Sequence, residues 1–324
     1  MTVASTIHLG GNEVSISMLS TWWRCPRLFY WTYLHPGLDE RRGIEPRYTK
    51  DYLLIGSAVH AGLAAWYLSG WRDGGYHMDA ALTACRDHLE LRADESESEQ
   101  QHAAVVAESE RLLRNYATEY GPDGRAPEWP TFRIADDAEG PLIERTFRFK
   151  LRTGHFLTVR PDAIAYNFDS LVACEHKVPA AQSVTRTFGE ARLGGQGLAQ
   201  EAILRQFGIA TNGQLVNVVV RGPIRATRGF QREVIAHDPW AVSQLLTLAG
   251  DTIIAIQATT EKWEQLCDDG FQPVDAARLA FPMVGTLSGH CVGKFGPCSA
   301  FDLCSSSGRE SMMLAGFRTR TYKG

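Results

Sequence analysis

The sequence predicts an α/β protein with a helical N-terminal lobe and an irregular, cysteine-bearing tail. Three observations carry that prediction. Up to about residue 120, apolar residues recur at helical spacing. From residue 141, alternating segments rich in β-branched and aromatic residues take over. The last 50 residues hold Pro, Gly and Cys with little periodicity.

Length and composition set the outer limits. The chain has 324 residues, 44% hydrophobic and 22% charged, an ordinary globular balance with room for a large core and two lobes. No apolar run is long enough to span a bilayer. The opening "MTVASTIHLGGNEVS" lacks a basic start followed by an apolar core, so a secretory signal is not expected and a cytoplasmic protein is. A net charge of −4 excludes a general nucleic-acid coat, and any nucleic-acid contact must use local patches. Arg145, Arg148, Lys150 and Arg152 form one basic group. Arg221, Arg225, Arg228 and Arg232 form another, and Arg309, Arg318, Arg320 and Lys323 a third. Taken alone, each reads first as a solvated face. The seven cysteines are an odd number, which argues against a disulfide framework and for a metal or cluster site or core thiols.

The elements follow in order. Residues 17–34 read as a Ser-capped helix bent near Pro26, ended by "HPG". Residues 39–50 are polar loop. Residues 51–70 show apolar helical spacing and a closing Gly, and residues 78–92 and 97–119 form two more helices. "GPDGRAPEWP" breaks the chain. "PLIERTFRFKL", "HFLTVRPDAIAY" and "SLVACEHKV" read as three consecutive strands joined by turns at "RTGH" and "NFDS". A helix over 188–207 follows, then strand "QLVNVVVRG" and its hairpin partner "GFQREVIAH". A long helix begins with Asp238 as cap and Pro239 at its first position. The expected domains are a helical lobe over 1–130, an α/β core over 131–237, and the long helix with the Cys-rich tail over 238–324.

The chemistry concentrates between residues 160 and 178. Alternate side chains of a strand share a face, so Glu175 and Lys177 point one way and His176 the other. If 156–166 and 171–178 pair as a hairpin, Asp162 lies across from Glu175. Paired carboxylates repel unless a cation sits between them. Hard oxygen ligands suit Mg²⁺ or Mn²⁺. A lysine beside such a metal can orient or deprotonate a water for attack on a phosphodiester. The alternative is a surface hairpin with ordinary charges. The apolar flanks "LVAC" and "DAIAY" weigh against it, because unpaired charges are costly in a buried strand.

"RPD…EHK" resembles the Pro-Asp…(Asp/Glu)-x-Lys signature of the restriction-endonuclease-like nuclease superfamily. Its RecB-like branch has a helical GxxxH motif, matched by "GSAVH" with His60. It often has a Glu on the first core strand, matched by Glu144 in "PLIERTF". It also has a Gln-x-x-x-Tyr motif on the helix after the Lys strand. Here "GGQGLAQEA" supplies Gln196, and Gln200 stands at the Tyr position. Without this context His60 reads as a core histidine, Glu144 as a strand-edge charge, and Gln196 and Gln200 as solvent-facing neighbours one turn apart. The resemblance implies a restriction-endonuclease-like core, a mixed central sheet flanked by helices. By that resemblance, His60, Asp162 and Glu175 bind the metal with help from the His176 carbonyl. Lys177 acts on the water, and Gln196 orients Lys177 or the DNA.

"HCVGKFGPCSAFDLC" holds Cys291, Cys298 and Cys304, and "WWRCPRLFYW" adds Cys25. Four thiolates can hold a 4Fe–4S cluster or a Zn²⁺. Zinc usually takes paired close spacings such as Cys-x₂-Cys, which are absent. One early and three late cysteines resemble the iron–sulfur subgroup of RecB-like nucleases, which includes the AddB helicase–nucleases, the fourth CRISPR-associated protein family and phage exonucleases. A cluster would clamp the first helix to the tail, closing a loop of roughly 260 residues. Cys85, Cys174 and Cys267 lie in periodic apolar segments and read as buried thiols.

The expectation is therefore a Mg²⁺- or Mn²⁺-dependent exonuclease with a structural 4Fe–4S cluster. It would act on single-stranded DNA or DNA ends in repair, recombination, or CRISPR or phage DNA processing. No Gly-x₄-Gly-Lys-Ser/Thr loop is present, so unwinding must come from a partner, whether a helicase, a recombinase or a CRISPR adaptation complex. No membrane partner is expected. The competing readings are a catalytically weak or inactive DNA clamp subunit and a zinc-stapled structural protein.

Overall fold

The structure is a computed structural model that describes residues 12–36, 43–73, 75–121, 133–222, 229–284, 291–293, 296–306 and 310–320. Arg225, Arg228, Arg309 and Lys323 of the basic groups lie outside them. The chain divides into two compact units. One comprises Tyr48–Arg148 and Val159–Leu245, and the other Met1–Arg47, Phe149–Thr158 and Leu246–Gly324.

In the first of these, a mixed five-stranded sheet runs in the order Phe230–Ile235, Gln214–Val219, Ser170–Lys177, Ala163–Asn167, Arg133–Ile134. Gln214–Val219 is parallel to Ser170–Lys177, and the other neighbours are antiparallel. Gln214–Val219 is buried at every position, as a strand covered on both faces must be. Helices Asp51–Asp73, Met78–Glu90 and Glu99–Tyr120 cover one face, where Leu54, Val59, Leu63 and Leu112 meet Val172 and Leu215. On the other face, Val184 of helix Val184–Leu193 joins Val216, Val218 and Ile235. Each such aliphatic side chain contributes about 1.5–3 kcal/mol on burial. Gly62 permits the tight helix packing, since a Cβ there would lie 2.5 Å from Leu113 Cδ1 and 3.0 Å from the Ala81 carbonyl oxygen. Ser98 caps Glu99–Tyr120 by accepting from the Gln101 N–H at 3.1 Å.

Several elements differ from the sequence reading. "HFLTVRPDAIAY" is two strands, Phe156–Val159 and Ala163–Asn167, because Pro161 lacks the N–H a continuous ladder needs. Only the second pairs with Ser170–Lys177; the first is parallel to Glu13–Ser15. "PLIERTFRFKL" is not one strand either. Ile143 makes an isolated bridge to Ala163, and Glu144 then adopts φ 48°, which ends any extended run. The helix expected over 188–207 is two, Val184–Leu193 and Gly195–Gln206, separated by extended Gly194.

In the second unit, the aromatic N-terminal segment forms Ile16–Arg24, Pro26–Phe29 and a wider turn at Tyr30–Leu34. The cap is Ser15, whose hydroxyl accepts from the Met18 N–H at 3.2 Å. The break falls at Cys25, held extended at φ −169° and ψ 115° because the following Pro26 disfavours helical backbone. An aromatic core gathers Trp22, Phe29, Tyr30, Trp263 and Phe281. Two of its polar tips share one acceptor: the Trp263 indole N–H and the Tyr30 hydroxyl both donate to the Pro273 carbonyl, at 2.9 and 3.3 Å. Trp66, in the first unit, is core, whereas Trp23 is 37% exposed and donates to Thr252 Oγ1.

Two helices, Asp51–Trp71 and Pro239–Asp268, are long and apolar enough by length and composition to cross a membrane. That corrects the expectation that no run reaches this length. Asp51–Trp71 packs on two helices and the sheet, and a core helix meets the same criterion.

His35 is 6% exposed, against the rings of Tyr30 and Trp31. Burial pushes its pKa down to about 4. The unfolded chain binds this proton below about pH 6.5 while the folded chain does not, so the stabilisation is complete above pH 6.5 and declines as pH falls toward 4. Between pH 7 and pH 5 the wild type should lose about 2 kcal/mol more than a His35→Leu variant, measured by urea unfolding.

Candidate metal centre and cysteine cavity

Asp162 stands one residue before strand Ala163–Asn167. The register places Ala163 opposite Cys174, which brings Asp162 level with Glu175. Asp162 Oδ2 accepts the His176 backbone N–H at 2.5 Å, and its backbone carbonyl accepts the Glu144 N–H at 3.1 Å. Oδ1 lies 3.2 Å from His60 Nδ1. His60 comes from the middle of helix Asp51–Asp73, and Glu144 from the bend after Ile143 rather than from a strand. Ligand atoms of His60, Glu144 and Asp162 all lie within 4.8 Å of one another.

Glu175 is 3% exposed, and both of its carboxylate oxygens accept hydrogen bonds. Its Oε1 accepts from Lys177 Nζ at 2.7 Å and from Gln196 Nε2 at 2.8 Å, and its Oε2 from Gln200 Nε2 at 3.0 Å. Lys177 Nζ also donates to Gln196 Oε1 at 3.1 Å. Gln200 is 1% exposed, and its Oε1 accepts from Gln214 Nε2 at 2.9 Å. Gln200 thus spends both ends of its amide inside the fold. His60, Glu144, Asp162, Glu175 and Gln196 share a cavity of about 520 Å³, a size suited to a small ligand.

The electrostatics are those of crowded negative charge. Burial would neutralise His60, but the adjacent Asp162 carboxylate lifts its pKa to about 9. Burial would raise Asp162, but the His60 imidazolium and the His176 N–H hold it well below the usual carboxylate range. Glu144 is pushed up to about 7, first by burial and then by the Asp162 charge. Glu175 is raised by the same two causes in the same order, against the pull of Lys177.

Two groups of residues escaped the sequence reading. Arg160, directly before Pro161–Asp162, lines the cavity and pairs with Glu144, Nε to Oε2 at 3.1 Å. Behind the site, His176 Nδ1 accepts from Asn217 Nδ2 at 2.7 Å, and its ring stacks on Tyr67 at 5.7 Å. Asn217 also donates to the Tyr116 hydroxyl and accepts from Arg232 Nε, at 2.9 and 3.1 Å. Asn217 was the available signal: it is a lone amide in the apolar run "QLVNVVV", and a buried amide requires partners. Arg232, placed in a basic surface group, is used here instead, with its guanidinium over the Tyr120 ring at 3.5 Å. Arg145 pairs with Asp137 at 2.6 Å, and Arg152 pairs with Asp251.

Cys25, Cys291, Cys298 and Cys304 line one cavity in the other unit, with Arg24 and Leu28 among their neighbours. Burial pushes the Cys304 thiol up to about 11, against the opposing influence of Trp31 and Arg27. Cys85 and Cys174 are fully buried and Cys267 is half-buried.

This chain belongs to the PD-(D/E)XK nuclease superfamily, whose family profile matches residues 13–281. It carries a nuclease domain of that class, and PD-(D/E)XK nucleases use divalent metal ions. No curated protein matches the chain. A crystal structure from Eubacterium rectale, described as a "Putative exonuclease", is similar at 13% identity and a TM-score of 0.41, over 76% of this chain and 80% of that one.

Replacing Gln200 by Leu strands Glu175 Oε2 and Gln214 Nε2 without their partner. Leaving buried polar groups unsatisfied costs about 1–3 kcal/mol, so Gln200→Leu should lower the urea midpoint well beyond Gln196→Ala, whose side chain is exposed.

Proposed function

We propose that this chain is a Mg²⁺- or Mn²⁺-dependent deoxyribonuclease that degrades single-stranded DNA or DNA ends exonucleolytically. The carrying observation is convergence: His60, Glu144 and Asp162, from three separate elements, bring ligand atoms within 4.8 Å of one another. The Glu175–Lys177 pair lies beside them on the neighbouring strand. The donors are imidazole nitrogen and carboxylate oxygen, which fit a hard divalent ion. In this reading His60, Asp162 and Glu175 hold the ion, with Glu144 as a further ligand and the His176 carbonyl assisting. When bound, the ion neutralises phosphate charge and makes water a better nucleophile. Lys177 holds the attacking water: two of its three ammonium protons go to Glu175 and Gln196, and the third is available. Gln196 fixes Lys177, and Arg160 offers a guanidinium to a phosphate at the cavity mouth.

The same reading gives the second unit a 4Fe–4S cluster on Cys25, Cys291, Cys298 and Cys304. Their shared cavity supports it. The odd number of cysteines, with no disulfide among the described residues, fits a reducing, cytoplasmic setting. Strand separation is left to a partner helicase, recombinase or CRISPR adaptation complex.

The test is cleavage of 5′- and 3′-end-labelled single-stranded DNA with and without Mn²⁺. Lys177→Ala should lower the rate by about 10²–10⁴-fold with thermal unfolding nearly unchanged, and Asp162→Ala should lower it as far while also costing about 1–3 kcal/mol of stability, because the buried His176 N–H loses its acceptor. Undiminished cleavage in both variants refutes the assignment. Anaerobically purified protein should contain iron and sulfide, and stoichiometric zinc in their place would remove the cluster.

A further inference from the structure

Directly after Cys25, the segment Pro26–Phe29 and the wider turn Tyr30–Leu34 direct two polar side chains inward. Arg27 is 7% exposed and Trp31 is 2% exposed. Arg27 Nε donates to the Phe281 carbonyl at 2.9 Å. Among the described residues no carboxylate pairs with Arg27. Its electrostatic neighbours include the Cys304 and Cys25 thiols, and Arg278, which is turned to Asp275 at 3.0 Å. A guanidinium cannot shed its proton to escape burial. A buried charge without an opposite charge is costly, and such groups persist where an anion faces them. The Trp31 indole N–H is likewise buried with no acceptor in hydrogen-bonding alignment, yet it lies near enough to influence the Cys304 sulfur. Neutral thiols are weak acceptors and satisfy neither group.

We infer that Arg27 and Trp31 are the charge-compensating shell of the four-cysteine site, with Arg27 balancing its net negative charge and the Trp31 N–H directed at the Cys304 thiolate. The inference rests on the cluster reading above. Both are positioning residues with an electronic consequence. A four-thiolate 4Fe–4S group is anionic and gains a further negative charge on reduction. A nearby cation and an N–H aimed at sulfur therefore favour the reduced form and raise the potential. Arg24, on the same cavity but exposed, is screened by water and contributes less.

The experiment uses the full chain purified anaerobically. Iron and sulfide are counted, and the midpoint potential is read by titration followed by electron paramagnetic resonance. Arg27→Met and Trp31→Phe should each shift the potential to more negative values, and Arg27→Lys should restore most of the Arg27 shift. A merely structural role would alter iron content or thermal stability and leave the potential of the loaded fraction in place. If Arg27→Met fails to retain iron, Trp31→Phe decides, since it keeps an aromatic ring and deletes only the donor. An unmoved potential in a variant that retains its iron overturns the assignment for that residue and leaves the cluster standing. Wild-type protein without iron removes the cluster reading, and this inference with it.

Discussion

A two-residue turn, Phe168–Asp169, sets the geometry on which the candidate site depends. It fixes Asn167 opposite Ser170, and every later pair follows, through Ala163 opposite Cys174 to Asp162 level with Glu175. Side chains alternate strictly along a strand, so a slip of one residue would exchange Glu175 and Lys177 for His176 on the cavity side. The turn is itself constrained, since Phe168 takes φ 53°, a conformation that bulky residues rarely adopt. The hydrogen bond from the His176 N–H to Asp162 Oδ2 then locks the carboxylate to the neighbouring strand.

Around that lock the fold separates two kinds of polar work. Glu175, Lys177, Gln196 and Gln200 form a closed set of hydrogen bonds on one side of the strand. On the other side, His176 is held by Asn217, Tyr67 and Tyr116, with Arg232 behind them. The triplet Glu-His-Lys is thus anchored on both faces of the sheet. In a low-dielectric interior such hydrogen bonds hold side chains firmly, and firmly held side chains position reacting groups. Glu144 shows the cost of convergence: a non-glycine residue at φ 48° delivers a carboxylate that a regular strand would have aimed elsewhere.

The other unit is organised around aromatic side chains rather than a sheet. Trp22, Phe29, Tyr30 and Phe281 meet edge-to-face or tilted, and the Tyr30 hydroxyl finds the Pro273 carbonyl. Pro26 forces Cys25 into an extended conformation at the start of this packed segment, so the thiol, the buried Arg27 and the buried Trp31 are set by one local backbone break.

What the sequence determined alone was whatever depends on local spacing. The alternation of "SLVACEHKV" put Glu175 and Lys177 on one side and His176 on the other. The helical spacing of 51–70 and of 97–119 marked real helices. The succession of His60, Glu144, Asp162, Glu175, Lys177 and Gln196 along the chain was visible as an order of residue types. Only the tertiary structure decided the remainder. Pro161 cuts a strand in two, and the first part then pairs with Glu13–Ser15, a partner no nearby residue announces. Glu144 leaves the extended region, and Arg160 joins the site as its ion partner. Gln200 is buried because Glu175 and Gln214 flank it. Periodicity records which side of an element is apolar, but a hydrogen bond between residues distant in sequence exists only once the chain has closed.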